Sequence, residues 1–449
     1  MNNSFNEAEQ YINRISMFGM NVGRHAKENE NINGRNKSGN DNLAFIMEKL
    51  GNPHLKHKAI HVAGTNGKGS TVQFICAILR QCGYRVRSFT SPHLVSITER
   101  IEGITEEEFV RCYGQVRMAC EEAVREGGQH LSYFEFLFAM GALYFATQEL
   151  DYVVYETGLG GRLDATNILS PVLTVITEIG LDHTKYLGDT IPAIAGEKAG
   201  IIKTGVPIVY NTGSPLADDV VAARAKSLAA EAINVANMEY IIDEITDKTI
   251  DFSMRNRYYN YNGLRLGDVA TYQVDNAVTA IEACRRLLSC DISQDKIQQA
   301  LDSFYWPGRM ERISEHLVVD GAHNQSAMER FVESVNAGYA DKRKKLLFAV
   351  AGDKDYEPMI AYLLSNLSVE AVYVTSLDSD RAISADYIAA LFRKYAKRQG
   401  QSIAIYAEDD IEVCFRQAYT SACSDDSVLF AVGSLYLIGK LKDIWEASV

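Results

Sequence analysis

The stretch His61-Val62-Ala63-Gly64-Thr65-Asn66-Gly67-Lys68-Gly69-Ser70 joins an apolar run to an amphipathic one through a glycine-rich turn that carries a lysine. Residues 58–62 read as a short buried strand and 70–79 as the opening of a helix. Glycines let backbone N–H groups approach phosphate oxygens, a helix N-terminus favours negative charge, and Lys68 adds a point charge. That chemistry is nucleoside triphosphate binding. The spacing departs from the common phosphate loop, with Val62 where a glycine is usual and Gly69 where Ser or Thr follows the lysine. A glycine-rich structural turn is the plain alternative.

Polar residues where parallel strands end are the next candidates, because α/β sheets bind ligands there. Glu156 closes the run Asp151-Tyr152-Val153-Val154-Tyr155. A carboxylate at that place can hold magnesium beside the phosphates, and Gly158-Leu159-Gly160-Gly161-Arg162 after it has little else to explain it. Asp182-His183 follows a second such strand, although imidazole is an uncommon magnesium ligand. Ser91 could offer a hydroxyl, yet Ser91-Pro92 is also a turn signal. Lys198, in Gly196-Glu197-Lys198-Ala199-Gly200, reads by default as a solvated helix lysine. Asp320-Gly321-Ala322-His323-Asn324, Asp353-Lys354-Asp355 and Gly433-Ser434 each follow a strand in the C-terminal half; three such exits would converge on one cleft.

These residues need a scaffold, and the apolar patterning supplies one. Strands are expected at 58–62, 84–90, 151–156, 172–177 and 207–210, with helices at 106–125, 133–148 and 191–202 between them. Such alternation implies a mostly parallel sheet covered by helices. Residues 240–267, rich in Tyr, Asn, Ile and Thr, suggest a small antiparallel addition before a helix at 275–288. Trp306-Pro307-Gly308-Arg309 breaks the pattern, placing an N-terminal domain at 1–306 and a C-terminal Rossmann-like α/β domain at 307–449. Strands are expected there at 317–320, 345–350, 371–375, 403–406 and 428–432. Residues 29–42, rich in Asn and Gly, read as an exposed loop near the phosphate turn.

Composition narrows the partners. The chain has 449 residues, 47% hydrophobic and 23% charged, enough for two or three domains with sizeable cores. Its 45 Lys and Arg against 58 Asp and Glu leave a net charge of −13, a poor basis for sequence-independent nucleic-acid binding. An anionic substrate must therefore be drawn in by local cations. Eight cysteines without a C-x-x-C pair or zinc-ligand spacing read as reduced thiols. The N-terminus lacks the pattern of a signal peptide, and no apolar run is long enough to span a bilayer. A cytoplasmic monomer, with no membrane partner, is expected.

Taken in order, the motifs resemble the folylpolyglutamate synthase and dihydrofolate synthase family of the Mur ligase superfamily. The matching text includes Gly64-Thr65-Asn66-Gly67-Lys68-Gly69-Ser70, Thr90-Ser91-Pro92-His93-Leu94 and Ser132-Tyr133-Phe134-Glu135-Phe136. It continues with residues 156–167, Leu181-Asp182-His183, Glu197-Lys198-Ala199-Gly200, Trp306-Pro307-Gly308-Arg309 and Asp320-Gly321-Ala322-His323-Asn324. The resemblance runs from about residue 48 to the end and accounts for the unusual phosphate loop. Gln325 in place of proline after His323-Asn324, and a short loop at 102–104, depart from it.

The resemblance implies that Asn66, Gly67, Lys68, Gly69, Ser70 and Thr71 cradle the ATP phosphates, with Asn276, Arg309 and Asp320 also contacting ATP. Ser91 and Glu156 would hold one magnesium ion. His183 would help hold a second, faced by a carbamylated Lys198. Ser132, Tyr133, Phe134 and Glu135, with Leu163, Asp164 and Ala165, would border the pterin, and His323 would lie on the substrate side. Lys68, His183 and Lys198 would be the catalytic set. The implied reaction adds L-glutamate to the carboxylate of a folate, or of dihydropteroate, through an acyl phosphate. Another Mur-type amino-acid ligase and a small-molecule kinase are the competing readings, and a nucleotide-gated binding protein without chemistry is a third.

Overall fold

Buried side chains on both faces of β1 (Lys58–Ala63) mark it as a strand covered on two sides. The computed structural model describes residues 3–16, 40–256, 258–267, 269–378 and 381–447. Most of the loop expected at 29–42, residues 29–39, therefore lies outside the described residues. β1 is joined by β2 (Val86–Phe89), β3 (Tyr152–Glu156), β4 (Pro171–Ile176), β5 (Ile208–Tyr210) and β6 (Ala232–Asn234) in a parallel sheet of order β2-β3-β1-β4-β5-β6. Register places Val62 beside Glu156 and Ala63 beside Ile176, so β1, β3 and β4 end at one level. That shared edge positions the site.

Helices cover both faces of this sheet. Asn3–Asn13, Asp41–Lys49, Glu106–Arg125 and Tyr133–Phe145 form one core with Phe89, Val153 and Tyr155. Ile191–Ala199 and Pro215–Ser227 form another with Ala63, Ile176 and Ile208. Glu106–Arg125 starts where it does because Thr105 and Glu108 cap each other's backbone and three glutamates fill the first turn.

A three-stranded sheet follows, β7 (Glu239–Ile245), β8 (Ile250–Asn256) and β9 (Tyr259–Leu266), with β8 and β9 antiparallel. The last sheet contains β10 (Glu311–Ser314), β11 (Leu317–Asp320), β12 (Lys344–Phe348), β13 (Ala371–Val374), β14 (Ala404–Ala407) and β15 (Val428–Val432). Its order is β10-β11-β15-β12-β13-β14, parallel except for β10, an edge strand absent from the sequence expectation. The architecture is thus a mostly parallel N-terminal sheet, a small sheet holding the antiparallel β8–β9 pair and a C-terminal α/β sheet.

The chain divides into two compact units, residues up to Glu239 with Asn276–Ser303, and Tyr240–Asp275 with Phe304 onward. The small sheet groups with the C-terminal strands here, whereas a single cut at 306 would leave it with the first domain.

Candidate active site

The phosphate-loop candidate is a built turn. Thr65 N donates to Glu178 O (2.7 Å) and Thr177 Oγ1 to Asn66 O (2.6 Å), lacing the loop to the exit of β4. Gly180 N and O both pair with Thr65 Oγ1 at 3.1 Å. Gly67 sits at φ +79° as the N-cap of helix Lys68–Gln81, and a Cβ there would run into Asn276 Oδ1. A Cβ on Gly64 would likewise meet Thr177 Oγ1. Thr71 Oγ1 donates to the same Asn276 Oδ1 (3.4 Å). The first-turn N–H groups of that helix have no intrahelical acceptor, so an anion is the natural partner.

Three charged side chains gather at this turn. Lys68 Nζ donates to Thr65 O (3.1 Å) and lies 3.8 Å from Glu156 Oε1. Glu156, 2% exposed at the end of β3, accepts from Ser91 N through Oε2 (2.9 Å). Lys198, 3% exposed, donates to Gly64 O (2.6 Å). Burial, and then the charge of Lys68, push its ammonium down to about 7, against the opposing pull of Asp182 and Asp164. Far from being a solvated helix lysine, Lys198 is buried against the phosphate turn. His183 stands at φ +51° in the loop after Gly180, its N–H on Asp182 Oδ1 (2.8 Å) and its ring half exposed.

The glycines after Glu156 have a packing reason that the sequence did not disclose. A Cβ on Gly161 would sit 2.8 Å from Glu197 O and 2.9 Å from Lys198 O, and one on Gly158 would sit 2.7 Å from the Phe134 ring. Arg162 N donates to Glu197 O (2.7 Å) and its guanidinium to Glu197 Oε1 (2.9 Å). The segment is therefore pressed onto the end of the helix that carries Lys198, so its glycines are no argument for a metal at Glu156.

Other expected substrate residues hold local structure. Ser132 N and Oγ donate to Glu135 Oε2 (2.7 and 2.6 Å), closing a capping box at the start of Tyr133–Phe145. Tyr133 is buried beneath the Arg100 guanidinium, and Phe134 packs edge-on against Phe89. Asp164 is buried and caps the short helix Ala165–Ile168, while Leu163 is exposed.

In the second unit β11, β15 and β12 are adjacent, so their carboxyl ends lie side by side. Asp320 is buried, accepting from Met310 N and Ala322 N (both 2.8 Å) and from the Tyr272 hydroxyl (2.6 Å). Burial pushes its carboxyl up, against the nearby Arg309 guanidinium. His323 Nδ1 donates to Gly321 O (2.7 Å), and Asn324 caps the helix Gln325–Gly338. Gln325 occupies the first helical position, where proline is also favoured.

Among the described residues no three His, Cys, Asp or Glu side chains converge as a complete metal site. Magnesium nevertheless suits the donors present, since it binds through one or two carboxylates and completes its sphere with phosphate oxygens and water. Glu156, with Ser91 beside it, offers such a partial set next to the phosphate turn.

A phosphate turn whose lysine faces an acidic strand end, followed by a second α/β unit, suits an enzyme that uses a nucleotide, and two family matches make it a ligase of the Mur type. The Mur ligase middle domain matches residues 62–284 and the Mur ligase glutamate ligase domain matches residues 308–434. The dihydrofolate synthase/folylpolyglutamate synthase of Bacillus subtilis is 35% identical over 90% of this chain and 94% of its own. The chain belongs to the folylpolyglutamate synthase/dihydrofolate synthase family of ATP-dependent ligases. Its fold is similar to folylpolyglutamate synthase from Thermotoga maritima, with a TM-score of 0.80, 28% identity and coverage of 99% and 97% of the two chains. It is also similar to the Escherichia coli relative solved with DHPP and ADP, with a TM-score of 0.81, 26% identity and coverage of 99% and 98%.

Proposed function

We propose that this chain joins L-glutamate to the carboxylate of a dihydropteroate or folate acceptor, with ATP as the activating substrate. The observation that carries the reading is the meeting of Lys68, Glu156 and Lys198 at one phosphate turn. A carboxylate does not condense with an ammonium group at neutral pH without a better leaving group. An acceptor carboxylate oxygen attacks the γ-phosphorus, the bridging oxygen leaves with ADP, and an acyl phosphate forms. The neutral glutamate amine then attacks the carbonyl carbon, phosphate departs and the nitrogen loses its proton.

Each side chain has a part in this sequence. Lys68 and the first-turn amides of helix Lys68–Gln81 hold the transferred group and offset its charge. Glu156 and Ser91, with His183 at the neighbouring loop, are the groups that would hold magnesium, which when bound neutralises phosphate charge. Lys198 has a neutral fraction near pH 7, which is what carbamylation by carbon dioxide requires; the product anion would replace a buried cation. Asn276 lies against Gly67 at the phosphate turn, and the same reading gives Arg309 and Asp320 to ATP and His323 to substrate. Leu163, Asp164 and Ala165, with residues 132–135, border the acceptor.

Acceptor labelled with oxygen-18 in its carboxylate tests the route. Label in the released phosphate is expected; a kinase or a nucleotide-gated binder would release none. An ADP-release assay with glutamate, comparing dihydropteroate with tetrahydrofolate, then shows whether one acceptor or both are used.

A further inference from the structure

His61 lies in the middle of β1, 0% exposed, where its apolar neighbours Ile60 and Val62 would lead one to expect a hydrophobic residue. Its Nε2 is 2.7 Å from Thr166 Oγ1, and Thr166 Oγ1 is 2.5 Å from Asp164 Oδ1. Burial pushes the Asp164 carboxyl up, and against that it accepts from Thr166 N on Oδ1 (3.0 Å) and from Leu159 N on Oδ2 (2.8 Å), donors that favour the carboxylate. A carboxylate only accepts, so the Thr166 hydroxyl gives it its proton. The same hydroxyl oxygen then accepts from His61, which must carry its proton on Nε2.

Two further observations agree with that direction. Among the described residues His61 Nδ1 is buried without a hydrogen-bond partner, a place for a bare nitrogen rather than an N–H. Burial, with the charge of Lys203 second, pushes the imidazole down to about 3, so the ring stays neutral. Beyond Asp164 the segment is pinned again: Asn167 Nδ2 donates to Arg162 O (2.9 Å), and Lys203 Nζ donates to Asn167 O and Oδ1 (both 2.8 Å). Leu163, 58% exposed, projects from a loop whose two ends are both tied down.

We infer that His61 and Thr166 are positioning residues for acceptor binding, a buried relay that fixes the Asp164 carboxylate and through it the shape of loop 158–165. The inference rests on the reading that this loop borders the acceptor. The relay is aimed at the loop rather than at the nucleotide, so its loss raises the KM for the acceptor and leaves that for ATP alone.

Steady-state ADP release with dihydropteroate, tetrahydrofolate and glutamate separates these effects in His61→Leu, His61→Gln and Thr166→Val. Gln is included because its amide nitrogen can stand where Nε2 stood and donate. His61→Leu and Thr166→Val are expected to raise the acceptor KM about tenfold, the scale of a lost hydrogen bond to a charged network. The ATP KM is expected to stay within about twofold, and His61→Gln to recover most of the acceptor affinity. An unchanged acceptor KM in both His61→Leu and Thr166→Val overturns the relay. So does a parallel rise in both KM values, or a His61→Gln variant as impaired as His61→Leu, since either marks lost packing. Failure of the ligase reading looks different: the parent protein then releases no ADP with either acceptor.

Discussion

Lys198 shows how much one buried charge can govern. Its ammonium sits against Gly64 O with Lys68 nearby, and its folded pKa of about 7 lies well below the ordinary lysine value. The unfolded chain thus binds more protons than the folded one between about pH 7 and 10. Stability conferred by this site therefore rises with pH across that window, and below pH 7 the burial cost is felt in full. In carbon dioxide-free buffer, Lys198→Met is expected to be more stable than the parent at pH 6 by on the order of a few kcal/mol. The gap should close towards pH 10, as read by thermal melts across pH; a constant gap would deny the assignment. Lys198→Ala is expected to lose at least about 100-fold in kcat, the scale of a lost electrostatic catalytic group, with partial rescue by formate or acetate. At this scale the sequence disclosed Lys68 and Glu156 through their spacing and strand-end position. It disclosed Lys198 only by resemblance, because helical periodicity carries no information about which buried backbone oxygen a lysine will find. His61 left one faint trace, a polar residue in an apolar strand.

Element geometry explains what the glycines do. The run from Gly158 to Gly161 reads in sequence as a loop in need of a ligand, yet Gly161 is where a loop backbone meets the carbonyls of Glu197 and Lys198. Contacts of that kind join residues far apart in the chain and leave no local pattern. Gly161→Ala should push the helix end that carries Lys198, lowering kcat about tenfold or more while the ATP KM changes little. Its stability cost should be about 1–3 kcal/mol, as for other overpacked positions. Gly67→Ala belongs to the opposite class. Its φ of +79° and the collision with Asn276 strike the phosphate turn itself, so nucleotide titration should show weakened binding of ADP before any chemistry. Equal nucleotide affinity in Gly67→Ala and the parent would contradict the phosphate-loop assignment. Strands were legible where apolar runs are continuous, as at β11 and β15. β10 was missed because a short antiparallel edge strand with only half-buried and exposed residues has no such run.

At the scale of the whole molecule the two compact units have separate cores, and this gives a physical handle. The second unit's core contains Phe348 and Phe392 in edge-to-face contact at 5.3 Å, both fully buried. The chain has two tryptophans, Trp306 and Trp445, and both belong to this unit, so tryptophan emission, excited to the red of tyrosine absorption, reports on it alone. Far-UV circular dichroism reports on both units. Phe392→Ala removes a large buried ring and should cost about 3–5 kcal/mol, cavity term included. If the units unfold independently, the fluorescence transition in urea moves to lower denaturant while part of the dichroism transition stays in place. Excess ADP with magnesium, binding at the phosphate turn of the first unit, should stabilise the component that stays, by mass action. A dichroism curve that shifts as one with the fluorescence would instead make unfolding a single cooperative event. The test also bears on the sequence reading of domains, because Trp306 marks a break in hydrophobic pattern while the contacts of 240–275 are made with residues far downstream. Which core a short antiparallel segment joins is decided by those distant contacts, and no feature within residues 240–275 announces it.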